Sequence, residues 1–341
     1  MSAGLGALTA QEARPAWYQA LARYQQPNLR KAVWQLVSTL VPYAALWAGM
    51  YWITRLGYPY WITLVLSIVG GGLLVRIFIL FHDCCHGSFF ASRRANRIWG
   101  YVCGILTFTP YEEWRHTHAI HHATASDLDR RGTGDVWTMT VDEYQAATRL
   151  RRLAYRLFRH PLVLFGLGPV GVFLLAHRLP RRGSRKYERY SVWFTNLALL
   201  AIVLLASLTI GLGTYVAIQL PILVIGGAAG IWLFYVQHQF EGVYWARYGE
   251  WSPTKAALQG SSYYRLPKVL QWFTGSIGLH HIHHARPRIP NYSLQRCYAE
   301  VPELQTVESL TLRTSLRSLQ LRLWDERQQK LVSFRSLRRA R

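Results

Sequence analysis

Four stretches of about twenty mostly apolar residues, 33–53, 61–81, 192–210 and 215–236, constrain this 341-residue chain more than anything else in it. A hydrocarbon core roughly 30 Å thick offers no water to backbone amides, so a segment of this length and composition must satisfy them within itself, as a helix. Trp34, Trp47, Trp52, Tyr58, Tyr60 and Trp61 cluster near the ends of the first two stretches, where interfacial aromatics anchor a span. The pattern predicts an all-α integral membrane protein, multi-pass, built from two helical hairpins.

The net charge of +22 follows the same plan. The connection after the first stretch carries only Arg55, and the turn at 211–214 carries no charge at all, while the long polar regions are rich in arginine. Positive charge stays on the inner side, so the N-terminus, the middle polar region and the C-terminus are expected to be cytoplasmic, in a bacterial inner membrane. No nucleic-acid-binding motif accompanies the charge, and nucleic acid is excluded as a partner. The first thirty residues hold no apolar leader core, so the spans themselves are expected to direct insertion. Cys84, Cys85, Cys103 and Cys297 all fall on the expected cytoplasmic side, where thiols stay reduced.

This gives one domain over 1–341, made of a cytoplasmic segment 1–32, a hairpin 33–81, a cap 82–191, a second hairpin 192–237 and a further cap 238–341. Residues 98–109 are apolar but too short to cross. Residues 162–176 are nearly long enough, yet Gly166, Gly168, Pro169 and Gly171 are expected to break a helix there. A crossing by that segment would place the last histidine cluster on the opposite side from the first two, so it is read as dipping into the membrane and returning. Leu312, Leu316, Leu319 and Leu323 recur at helical spacing and predict an amphipathic C-terminal helix.

Ten of the thirteen histidines lie in three clusters: His82 and His86; His116, His118, His121 and His122; His280, His281, His283 and His284. Spacings of three and four residues align imidazoles on one helix face, and imidazole is the commonest protein metal ligand. One such pair means little; three in a membrane chain point to a metal site, because ionisable groups at a membrane boundary are costly without a role. Imidazole suits zinc, copper, iron or nickel. Zinc has no redox chemistry and a tetrahedral ion needs only four ligands, so this many histidines fit a pair of redox metals better.

These residues resemble the membrane fatty acid desaturase family, in particular its bacterial acyl-lipid branch related to Δ12 (omega-6) desaturases. The resemblance runs from about Phe81 to Tyr298. It rests on Phe81-His82-Asp83-Cys84 with His86, on Trp114-Arg115 before His118-Ala119-Ile120-His121-His122, on Asp127-Leu128-Asp129-Arg130-Arg131, on Gln237-His238-Gln239-Phe240-Glu241, and on Gly278-Leu279-His280-His281-Ile282-His283-His284 with Pro287-Arg288-Ile289-Pro290-Asn291-Tyr292. It implies four transmembrane helices, a cytoplasmic helical cap holding a histidine-ligated dimetal site, two iron ions, O2 as co-substrate and a tunnel for the acyl chain. The implied ligands are His82, His86, His118, His121, His122, His238, His280, His283 and His284. His116 and His281 fall outside the ligand frame and are read as supporting or spacer residues, and the lone His160 and His177 as surface residues. Two positions depart from the family pattern: Cys85 stands where a glycine is usual, and Phe234 where acyl-CoA desaturases carry an asparagine.

Asp83, Asp127, Asp129 and Glu241 are the carboxylates nearest the clusters in sequence, and each is expected to accept a hydrogen bond from a ligand imidazole. For Asp127 and Asp129 a helix cap or an ion pair with Arg130 or Arg131 is the equal alternative. Trp232, Phe234 and Tyr235 are the expected tunnel-lining aromatics. The resulting expectation is an oxygen-dependent desaturase that places a cis double bond in the acyl chain of a membrane lipid or an acyl-carrier thioester. It takes electrons from a separate donor such as ferredoxin, since no fused carrier segment is recognisable. A hydroxylase or related di-iron oxygenase is the alternative, and a metal transporter or sensor a remote one.

Overall fold

Asn28 starts the first long helix: its side chain accepts from the Lys31 amide, and the helix runs Leu29–Arg55. In the computed structural model, which describes residues 16–339, three more long helices follow, Tyr60–His86, Lys186–Thr209 and Leu212–His238. All four are long and apolar enough to cross a membrane. Part of the polar lead-in, residues 1–15, and with it part of the region read as lacking a leader, lies outside the described residues. The second helix continues past its apolar stretch through His82 to His86 and stops at Gly87, whose φ of 65° is cheap only for glycine.

The second and fourth helices form the tightest crossing. A Cβ on Gly71 would sit 2.7 Å from the Ile225 side chain and 3.0 Å from the Gly226 backbone nitrogen, so only small residues permit it. The same contact decides how close the two histidine-bearing helix ends come.

Residues 162–176 depart from expectation. Gly166, Gly168, Pro169 and Gly171 do not break the chain; Leu162–Leu167 and Val170–Leu175 wind as wide π-turns, bent by 63° from the helix Arg149–Phe158. Pro169 lacks an amide for the normal ladder, and the wider winding accommodates it. Its ring packs on the fourth long helix, 2.8 Å from where a Cβ on Gly227 would lie.

The C-terminal leucines also behave differently. Leu312–Ser315 is a single helical turn followed by the 3-10 turn Leu316–Gln320, and Leu323 enters a strand, Leu323–Asp325. That strand pairs parallel to Met139–Thr140 and antiparallel to Lys330–Val332, while Tyr263–Tyr264 pairs with Ser309–Leu310. Ser315 and Ser318 face inward and Leu312 and Leu316 outward, so the leucine spacing coincides with a helical period without marking a buried face. Four shorter helices, Arg93–Leu106, Tyr111–Thr124, His280–Ala285 and Asn291–Glu300, gather around the histidine-bearing helix ends. The four thiols are unpaired, with Cys84, Cys103 and Cys297 buried.

Candidate metal centre

Three short helical faces and the end of the fourth long helix bring nine imidazoles into two adjoining groups. In the first, one ring nitrogen from each of His82, His86, His118, His122 and His283 lies within 4.8 Å of every other. In the second, His121, His238 and His284 meet the same condition, and His280 Nε2 joins them 3.0 Å from His238 Nε2. The groups adjoin: the His122 and His284 rings stack with centroids 4.2 Å apart.

Proton bookkeeping tests whether these groups suit a cation. Asp135 faces His121 Nδ1 at 2.6 Å, and the Gly260 carbonyl faces His238 Nδ1 at 3.1 Å. Neither oxygen can donate, so both Nδ1 atoms carry the proton and both Nε2 atoms present bare lone pairs. Those two lone pairs point at each other across 3.2 Å. Among buried imidazoles this is unfavourable unless a cation is shared between them. The first group repeats the logic, with Asp83 Oδ1 3.2 Å from His82 Nδ1. His86 Nε2 and His284 Nε2 are buried with no hydrogen-bond partner. Burial first, and neighbouring imidazoles second, push His118, His122, His280, His283 and His284 well below the ordinary imidazole pKa, leaving neutral ligands. The donor set therefore fits metal.

Against these groups lies a cavity of about 350 Å³. His82, His118 and His280 form one end, and Phe78, Leu223 and Phe234 are among its apolar walls. Several of its polar groups are already engaged: Gln237 Nε2 donates to the Ile277 carbonyl, and the Thr107 and Thr117 hydroxyls donate to carbonyls of their own helices. What remains for an occupant is an apolar slot that ends in metal-binding nitrogens.

Residues 59–314 match the sequence profile of the fatty acid desaturase family. That match spans most of the chain. The chain belongs to the fatty acid desaturase family. It is 47% identical over 318 residues to a fatty acid desaturase of Bacillus subtilis, covering 93% of this chain and 90% of the relative. An sn-1 oleoyl-lipid 12-desaturase of Synechocystis is 24% identical over 284 residues, covering 80% and 77%. An sn-1 acyl-lipid omega-3 desaturase (ferredoxin) of Synechocystis is 29% identical over 243 residues, covering 67% and 64%. Desaturases are oxidoreductases, and this one is a membrane protein of the histidine-box type.

Within this desaturase the carboxylates sort differently from their sequence positions. Asp83 is at the site, and its second oxygen accepts from the Asn291 amide and side chain at 2.6 and 2.9 Å. Asp127 instead accepts from the Asp129 and Arg130 amides and the Arg130 side chain, tying a turn. Asp129 pairs with Arg247 and the Tyr248 amide, and Glu241 is exposed beside Arg317. The carboxylate that serves His121 is Asp135, fourteen positions away. It returns to the site through a loop in which Gly132 and Gly134 take φ of 106° and 75°. That paired glycine just beyond the second cluster is the signal that marks it.

His281 turns its Nε2 to the Leu304 carbonyl, and His116 points outward, 3.9 Å from Glu188. His177 is packed edge-on against Phe173 rather than free at the surface, whereas His160 is exposed. Of the expected tunnel aromatics only Phe234 lines the cavity. Trp232 donates to the Tyr264 hydroxyl and Tyr235 to the Ser318 carbonyl, both on the side facing the cap. Residues 232 and 235 lie off the stripe that faces inward, a distinction of helical phase that aromatic character alone does not reveal.

Proposed function

We propose that this desaturase holds two iron ions, one at His82, His86, His118, His122 and His283, the other at His121, His238, His280 and His284. It would use O2 and two electrons to place a cis double bond in a membrane-lipid acyl chain. The carrying observation is the apolar cavity ending in ring nitrogens of both groups. When bound, iron supplies the activation of O2 that removing two hydrogens from an unactivated chain demands. The protein's own part is positional. Asp135 and the Gly260 carbonyl fix the tautomers of His121 and His238, Asp83 does so for His82, and Phe78, Trp114 and Phe234 keep water from the slot. The cavity's size is in the range of small-ligand sites, and its mostly apolar walls suit methylenes rather than a headgroup.

The arginine-rich regions face the cytoplasm in this reading, the bent segment 149–178 dips and returns, and a separate acidic carrier of the ferredoxin kind docks on the basic face. A relative's name includes ferredoxin, which supports that donor class. Expression in a host lacking the activity, with gas chromatography of its lipids and iron measured per purified chain, tests the function. New monounsaturated or diunsaturated chains with close to two irons are expected. Hydroxylated chains, or a histidine set loaded with redox-inert metal in the active enzyme, would overturn the reading. Reporter fusions at Arg55 and Gly213 are expected outside, and fusions at Arg185 and the C-terminus inside.

A further inference from the structure

The cavity has a floor, and a single position lies free above it. On the fourth long helix the lining residues recur as Leu223, Gly226 and Gly227, Gly230 and Ile231, Leu233 and Phe234, then Gln237, one helical stripe leading to His238. The second helix faces it with Leu74, Val75, Phe78, Ile79 and His82. The two stripes close on each other where Gly71 meets Gly226: a Cβ on Gly226 would lie 3.0 Å from the Gly71 carbonyl oxygen. Leu223, the lining residue of that stripe furthest from the histidines, is fifteen residues before His238, so the floor is about 22 Å below that imidazole along the helix.

Four glycines line the cavity, and three are committed. A Cβ on Gly226 would meet backbone, one on Gly227 would meet Pro169 and Phe173 at 2.8 and 3.1 Å, and Gly134 has φ of 75° with the His121 Cβ 3.1 Å away. At Gly230 a Cβ would meet nothing within 4 Å. Gly230 occupies the centre of the inward stripe, so the open space in front of it is the cavity itself. It is eight residues before His238, about 12 Å below that imidazole, and seven residues after Leu223, about 10 Å above the floor.

We propose that Gly230 sets how deep an acyl chain descends, and so where the double bond falls counted from the methyl end. This rests on the reading that an acyl chain occupies the cavity. The methyl end is the end that descends, because an apolar slot between two membrane helices has nothing to receive a charged headgroup. Glycine is unfavourable in mid-helix, so its presence here has a packing or spatial reason, and the empty volume before it is that reason.

Gly230→Leu, Gly230→Ala and the neighbouring outward-facing control Ala229→Leu, each as full-length membrane protein, are compared by the positions of double bonds in host lipids, read by mass spectrometry of derivatised chains. The leucine is expected to lower product at the wild-type position by about tenfold or more, the scale on which apolar pockets discriminate by a few carbons. The remaining product is expected to shift toward the methyl end. Alanine is expected to give the same change to a smaller degree, and Ala229→Leu none. A second measurement is independent of turnover. A phospholipid whose acyl chain ends in a diazirine is expected to label the floor around Leu223 in the wild type and Phe234 or above in Gly230→Leu. If Gly230→Leu accumulates normally yet keeps both bond position and labelling pattern, the proposal is wrong. Should it not accumulate, Gly230→Ala decides by the same two measurements. An inactive wild type whose floor is still labelled, with labelling raised by Gly230→Leu, would overturn the proposed reaction and leave the depth assignment standing; absence of wild-type labelling overturns the depth assignment.

Discussion

The second and fourth long helices differ from the first and third in what their faces touch, and for the third and fourth this is not a difference in how apolar they are. Mean hydropathy in the most apolar stretch is 2.1 for the third helix and 2.0 for the fourth, yet 22% of that stretch is buried in the third and 39% in the fourth. In the first and second helices the buried shares are 22% and 61%, there with mean hydropathies of 1.3 and 2.5. Small residues account for the division. The inner pair carries Gly70, Gly71, Gly72, Gly226, Gly227 and Gly230 besides Gly213 at a helix start, whereas the first helix has Gly49 alone and the third has no glycine. Hydropathy marks a segment as fit for lipid, while glycine lets two segments approach until their polar ends share a site. The outer helices, with Leu208 87% exposed and Trp34 68%, supply lipid-facing surface and no imidazole to either metal-binding group.

If the long-helix ligands come from the inner pair, His238→Ala has the largest effect. His238 Nε2 faces both His121 and His280, and its proton is fixed on Nδ1 by the Gly260 carbonyl. Removing it is expected to cut activity by more than about a hundredfold, beyond the loss that supporting residues of metal sites cause, and to reduce metal per chain. His160→Ala, at an exposed position, is the control, with metal analysis and product formation read on both. Full metal and activity in His238→Ala would mean that the fourth helix only borders the site and that the division between inner and outer pairs is one of packing.

Asp135→Asn comes next. It keeps the shape but replaces a charged acceptor at His121 with a neutral amide, and a drop of about ten- to a hundredfold in metal affinity or activity is expected. Asp129→Asn and Glu241→Gln are expected to stay within about twofold, since their partners are exposed arginines and surface pairs contribute little. Equal effects from Asp135 and Asp129, measured as turnover at matched protein level, would remove the assignment of the supporting carboxylate.

Legibility in the sequence follows the same line between local and distant constraints. The long helices and the histidine faces could be read because each depends on spacing within one segment: His118, His121 and His122 share a face wherever their helix goes. Asp135 could not be reached that way, because its approach to His121 depends on a loop with two left-handed glycines, and Asp127 and Asp129 were nearer in sequence but spent on arginines and amides. Leu312 to Leu323 had the period of a helix, but partners from Met139 and Val332 drew Leu323 into a sheet. Residues 162–176 held helix breakers whose freedom is used to lie against Gly227 in widened turns. In each case a pairing across the fold overrode a local signal.

The smallest effect separates close approach from composition. Alanine at Gly71 would place its Cβ 2.7 Å from Ile225 Cγ2 and 3.0 Å from the Gly226 nitrogen; the side chain can rotate, but the backbone nitrogen yields only if the helices part. Overpacking of this kind costs about 1–3 kcal/mol. At Gly49 the same Cβ meets nothing within 4 Å, and alanine is expected to be neutral or to stabilise the helix by about 0.5–1 kcal/mol. Thermal unfolding of the two variants in the same detergent, followed by tryptophan fluorescence, is expected to lower the midpoint for Gly71→Ala and leave it level or raised for Gly49→Ala. Parting the inner helices also moves His82 relative to His238, so Gly71→Ala is expected to lose activity in proportion, whereas Gly49→Ala keeps it. Matching midpoints and activities in the two variants would mean that the inner pair is held by something other than its glycines, and the contrast between the pairs would have to be rebuilt on their polar ends.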